Sequence, residues 1–144
     1  MPVSPALKQA SKSFYAALNQ MLNGKPEPML AVWSQTPAAT TMHPIGGCER
    51  GWSKVKAPWT QVASLSTGGK VKLKSGRINA TKDMAVESGV EVGTAIMAGT
   101  TVTINGRVTN VYVRTGREWK IVHHHTDISP EMLAVMQRLQ QGSA

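Results

Sequence analysis

Lys70-Val71-Lys72-Leu73-Lys74 is the stretch on which the fold turns. Charged and apolar residues alternate there without a fault. In an extended chain the three lysines share one face, and Val71 and Leu73 share the other. That is a half-buried strand, and more strand follows. Met84 to Met97 reads as a second, with Gly89 and Gly93 marking a bulge or sharp bend. Ala98-Gly99-Thr100 turns the chain into a third strand, Thr101 to Arg114, where Asn105-Gly106 reads as a bulge rather than a hairpin turn. Thr115-Gly116 turns it again before Glu118 to Asp127. Four such strands in succession make a meander.

Upstream of Lys70 the period changes. Leu7, Ser11, Phe14, Leu18 and Met21 recur at helical spacing, with Ala10, Ala17 and Leu22 widening the stripe. Ser4 can cap this helix, Pro5 suits its first turn, and Asn23-Gly24 ends it. Pro28 to Trp33 reads as a short second helix and Ala39 to His43 as an extended piece. Pro44-Ile45-Gly46-Gly47 is a loop by composition. Gly51 to Leu65 is a third helix candidate, with Pro58 marking its start or a kink. Ser129-Pro130-Glu131 begins a last helix that runs through Leu139. The order predicts an α+β fold, with helices on one face of a curved antiparallel sheet. With no internal repeat or linker, residues 1–144 read as one domain.

Composition narrows the setting. An apolar fraction of 41%, with four Trp and eight Met, can fill a core and excludes wholesale disorder. The single Cys48 can form no internal disulfide, which points to a reducing, cytoplasmic setting. There is no apolar run long enough to span a membrane and no secretory pattern at the N-terminus. Sixteen Lys and Arg face eight Asp and Glu, a net charge of +8. Between Glu49 and Asp83 no acid interrupts Arg50, Lys54, Lys56, Lys70, Lys72, Lys74, Arg77 and Lys82. Such a stretch can attract polyanions, but no aromatic is interleaved with Lys70 to Lys74, which argues against nucleic acid.

Three short passages, taken with this element order, carry a family resemblance. They are Thr40-Thr41-Met42-His43-Pro44-Ile45-Gly46-Gly47, Arg107-Val108-Thr109-Asn110-Val111-Tyr112 and Glu118-Trp119-Lys120-Ile121-Val122-His123-His124-His125. Over roughly Pro5 to Pro130 the chain resembles the SnoaL-like branch of the nuclear transport factor 2-like superfamily, which includes ketosteroid isomerases and polyketide cyclases. The resemblance implies a cone, in which a bent sheet wraps around helices and encloses a pocket at its open end. It also implies a homodimer, no metal and no cofactor.

Several side chains are candidates for that pocket. In ketosteroid isomerases the residue immediately before the matching Pro is a general-base Asp, and here it is His43. A histidine can shuttle a proton near neutral pH. On a regular strand His123 and His125 share a face with Trp119 and Ile121, so these two histidines and Asp127 are expected inside, with His124 outside. Histidines two apart plus a carboxylate could also ligate a metal. The resemblance places Arg107 and Thr109 inside, and a buried Arg would need Glu87, Glu91 or Asp127 as partner. Trp33, Met42, Trp52, Trp59, Glu91, Thr109 and Trp119 are the candidate ligand contacts. Tyr15 lies on the helix that carries the oxyanion-binding Tyr in ketosteroid isomerases, but its spacing to Gly24 does not match and it receives no role. Cys48 could act as a nucleophile beside His43.

The expected function is binding of a small apolar organic molecule, with isomerase, cyclase or hydrolase chemistry based on histidine acid/base groups. The alternatives are a non-catalytic carrier for a hydrophobic molecule and, more distantly, polyanion binding through residues 50–82.

Overall fold

The computed structural model describes residues 2–142. Helix α1, Pro5–Leu22, begins where Ser4 Oγ accepts the Leu7 amide and ends at Asn23, with Gly24 at φ +87°. Phe14, Leu18, Met21 and Leu22 are buried along its inner stripe. A short α2, Glu27–Ala31, is followed by β1, Thr40–His43, and β2, Gly46–Arg50. Helix α3, Trp52–Leu65, continues past Pro58, which lies inside it. Then come β3, Ser66–Ala80, β4, Met84–Met97, β5, Thr100–Thr115, β6, Glu118–Thr126, and α4, Pro130–Gly142.

The sheet has six strands in the order β2-β1-β6-β5-β4-β3. Every pairing is antiparallel except β1 with β6. Helices and a bent, open sheet enclose the core between them, which is the α+β cone. Two of the six strands lie upstream of α3. Strand β2 was expected to be loop, because Gly46-Gly47-Cys48-Glu49-Arg50 has no apolar alternation to betray an edge strand. Cys48 lies exposed on it, away from the interior. Asn105-Gly106 is ordinary strand rather than a bulge: β5 pairs with β4 from Thr100 to Val113 without a shift.

The bend in the sheet has a local cause. At Gly93 the backbone sits at φ +156°, and a Cβ there would collide with the Lys70 carbonyl oxygen on β3. Gly89 is crowded as well, though less so: its Cβ would meet the Leu73 side chain and the Lys74 carbonyl. Only glycine lets the two backbones approach this closely. Ser75 at φ +57° and a register shift between Lys74 and Arg77 add a second bend on β3.

Gly93→Ala is therefore expected to lose about 2 to 4 kcal/mol in urea unfolding. Gly142→Ala, with open space around it, should stay within about 0.5 kcal/mol. Equal effects would refute the close-approach account.

Candidate functional site

Strand β5 builds the inner wall by strict alternation. Val102, Val108, Asn110 and Tyr112 are buried, whereas Arg107 and Thr109 belong to the opposite face. Arg107 is therefore not in the pocket. Its side chain is 84% exposed and grips Asp127 on the surface, Nε to Oδ2 at 2.9 Å and Nη2 to Oδ1 at 3.1 Å. Asp127 is thus its partner, and it too lies outside.

Strand β6 corrects the histidine assignment. Val111 pairs with His123 but Tyr112 pairs with Ile121, so the strand bulges at Val122. One extra residue inverts the alternation beyond it. Ile121 faces in, and after the bulge His124 and Thr126 face in as well. His123 and His125 point outward, His123 Nδ1 lying 2.7 Å from Thr40 Oγ1. Strand β1 lies in parallel register, with Thr41 beside His124. Thr41 and His43 are accordingly buried, and Met42 falls on the outer side with Thr40.

The interior side chains converge on a cavity of about 50 Å³. His43, His124, Glu91 and Trp59 line it, and the remaining wall is mostly apolar. Of the residues expected there from sequence, His43, Glu91 and Trp59 arrive. Trp33 is core, and Trp52 packs half-buried against that core. Trp119 borders a separate groove with Tyr112 and Lys120. Met132 of α4, Ile104 and Glu91 line both the cavity and an outer recess of about 340 Å³.

Behind the cavity wall runs a buried polar network that sequence reading missed. Glu87 accepts from Ser11 Oγ on one oxygen and from Tyr112 Oη at 2.8 Å and Asn110 Nδ2 at 3.1 Å on the other. Asn110 Nδ2 also donates to Tyr15 Oη at 3.0 Å. Its amide oxygen is thereby turned to His124 Nδ1, 2.6 Å away. His124 must donate from Nδ1, which leaves Nε2 as a bare acceptor. A parallel argument fixes His43. Thr41 Oγ1 donates to the His124 carbonyl at 3.2 Å, so it can only accept from His43 Nε2, also at 3.2 Å. His43 Nδ1 is then the unprotonated nitrogen.

Burial sets the charges. It holds His43 down to about 4 and His124 well below the usual histidine range, the latter helped by the other three histidines. It pushes Glu91 up to about 7, and Glu87 adds to the rise, although a hydrogen bond from Tyr15 opposes it. No described residue bonds Glu91 Oε2 or Trp59 Nε1, though both atoms are buried. Trp59 also stands edge-on to the His43 ring, 4.6 Å between centroids. Among the described residues, no three His, Cys, Asp or Glu side chains are grouped to hold a metal ion. None of their helices is long and apolar enough to cross a membrane.

Residues 8–129 match the family model of the SnoaL-like domain. The chain belongs to the SnoaL-like family. Among solved structures it is similar to a candidate dehydratase of the nuclear transport factor 2-like family from Streptomyces avermitilis. That match has 21% identity and a TM-score of 0.74, over 87% of this chain and 95% of that one. A nuclear transport factor 2-like superfamily protein from Salmonella enterica matches at 21% identity and TM-score 0.69, over 85% and 92%. A candidate calcium/calmodulin-dependent protein kinase type II association domain from Thiobacillus denitrificans matches at 24% and 0.72, over 90% and 99%. These likenesses establish the shared fold of the SnoaL-like protein. No curated protein matches the chain.

The opposed shifts of the SnoaL-like pocket predict a masked pH dependence. Unfolded His43 titrates near 6.5, so stability falls as pH drops below 6.5 and the loss is complete below about 4. Glu91 acts in reverse: its contribution is full below 4.5 and is lost as pH rises through about 7. Each is worth roughly 3 kcal/mol over its window. Between pH 7 and 4.5, Glu91→Gln should fall by about that amount relative to the unsubstituted protein in urea titrations. His43→Gln should rise relative to it between pH 6.5 and 4. Three parallel profiles would refute the burial account. A separate check is Glu87→Ala, which removes an acceptor from Ser11, Asn110 and the buried Tyr112 hydroxyl and should cost about 3 kcal/mol.

Proposed function

We infer that this SnoaL-like protein binds a small organic molecule in the His43–Glu91 cavity and catalyses proton transfer on it. The observation that carries this reading is a pair of titratable groups on one apolar wall whose environments push their pKa values past each other. Near pH 5 to 6 His43 is neutral, with its Nδ1 lone pair ready to take a proton, while Glu91 is protonated and ready to give one. Such a pair serves isomerisation, cyclisation or hydrolysis alike. His124, locked by Asn110, orients the bound molecule, and Trp59 forms part of the apolar wall.

The mostly apolar wall of the cavity favours one second reading, a carrier that holds its ligand without converting it. Met84, Val86 and Ile96 lie exposed on the sheet, and they support association as a homodimer through its outer face. The lone Cys48 supports a cytoplasmic setting.

Exchange of α-protons for deuterium in small cyclic ketones and hydroxyketones, followed by NMR, tests the catalytic step without requiring full turnover. The protein should accelerate exchange, with kcat/KM bell-shaped between limbs at about pH 4 and about pH 7. His43→Ala should slow it by about 10²- to 10⁴-fold. Exchange that is unchanged in this variant removes His43 as the base. Saturable binding with no exchange by any protein form would favour the carrier.

A further inference from the structure

The face that the sheet turns away from the core gathers the two outward histidines into one patch. Register across four strands sets Thr40, His123, Val111 and Val86 in one row. The next row holds Met42, His125, Thr109 and Ser88. The His123 and His125 rings stand 6.2 Å apart between centroids. His123 is half-buried, with Nδ1 against Thr40 Oγ1, and His125 is exposed. Val86 and Ile96 lie exposed on the same side of β4.

The charges around this patch leave a proton there without an answer. Neither row contains an acid. Arg50 of β2 lies opposite Thr40, and Lys120 precedes the pair on β6 with its Nζ on the Ala31 carbonyl. Cys48 is an exposed thiol on β2. Asp127 feels His125, but Arg107 already holds both of its oxygens. His43, His124 and Glu91 face the interior from the other side of the sheet. Burial, and then His125, already keeps His123 below the usual histidine range.

Such a patch suits a second copy of this chain. Each copy carries +8, so two identical faces tolerate each other only where they bear no net charge. These rows are uncharged while the histidines are neutral, and Arg107 and Asp127 cancel. Four strands span about 19 Å, and Val86 to Thr94 about 27 Å along β4. The product, about 500 Å² before side-chain relief, is of the order of the roughly 800 Å² that each copy gives to a standard interface. An acidic partner would instead be drawn to Lys70, Lys72 and Lys74 on the bordering strand.

We propose that two copies pack through this face and that protonation of His123 and His125 drives them apart. This rests on the homodimer reading above and adds its control by pH. An isologous contact brings four histidines into one interface, where a charged ring loses water and gains no carboxylate. The dimer therefore binds fewer protons than two separate chains, and acid favours separation. An acidic partner would reverse that sign.

Sedimentation equilibrium of the full chain at pH 7.5 and 5.5, at fixed ionic strength, reads the dissociation constant. It should rise at least about 100-fold on acidification, the contribution of one histidine per copy across that window. His43, held down to about 4, titrates below it. His123→Gln with His125→Gln keeps two polar side chains that cannot charge, so this variant should stay dimeric at pH 5.5. Circular dichroism should match at both pH values. A folded signal lost together with the dimer would overturn the proposal, since separation would then only follow unfolding. A constant that does not move, that falls with acid, or that rises equally in the double variant would overturn it and leave the homodimer standing. A chain monomeric at pH 7.5 would remove both.

Discussion

A single buried carboxylate holds the interior in register. Glu87, 2% exposed on β4, gathers donors from α1, from β5 and from an amide that itself reaches β6. A carboxylate removed from water is costly unless its lone pairs are filled, and here they are filled by groups from different elements. The helix cannot slide along the sheet without breaking Ser11 and Tyr15 contacts. Nor can the Asn110 amide flip without setting its oxygen against Glu87 and its NH₂ against a protonated ring nitrogen. Geometry fixed for stability thus also determines which nitrogen of His124 carries the proton.

This dependence explains which parts of the site were legible in the sequence. Strand β3 announced itself through Lys70 to Lys74, and α1 through its cap and apolar stripe, since both follow local periodicity. Strand β5 was equally regular. Its even-numbered residues Val102, Val108 and Tyr112 already marked the inner face, and that parity would have drawn Asn110 in and put Arg107 out. The resemblance outweighed the pattern there. The histidine run could not be read this way, because the bulge at Val122 depends on how β6 registers against β5. Nothing in Ile121-Val122-His123 by itself tells which residue is the extra one. Tyr15 and Glu87 belong to a network spanning up to 95 residues of chain, which no local pattern encodes.

The dimensions of the cavity set the chemistry apart from what its walls suggest. Trp33, Trp52 and Trp59 read as a broad apolar platform, yet Trp33 lies in the core, tilted against Trp59 at 6.0 Å, and of the three Trp59 alone lines the cavity. What remains is narrow and mostly apolar. In such surroundings two nearby titratable groups feel burial more than each other, and burial moves an acid and a base in opposite senses. A carboxyl and an imidazole that would both be charged in water at pH 5.5 are both neutral here.

The lysine row has a consequence unrelated to any ligand. Strand β3 is one of the two edges of the sheet, and Lys70, Lys72 and Lys74 are exposed along it. A second copy that tried to extend the sheet there would bring like charges to about 5 Å, the spacing between neighbouring strands. A cation at every other position makes that edge self-repelling, which guards a long strand against runaway fibre growth.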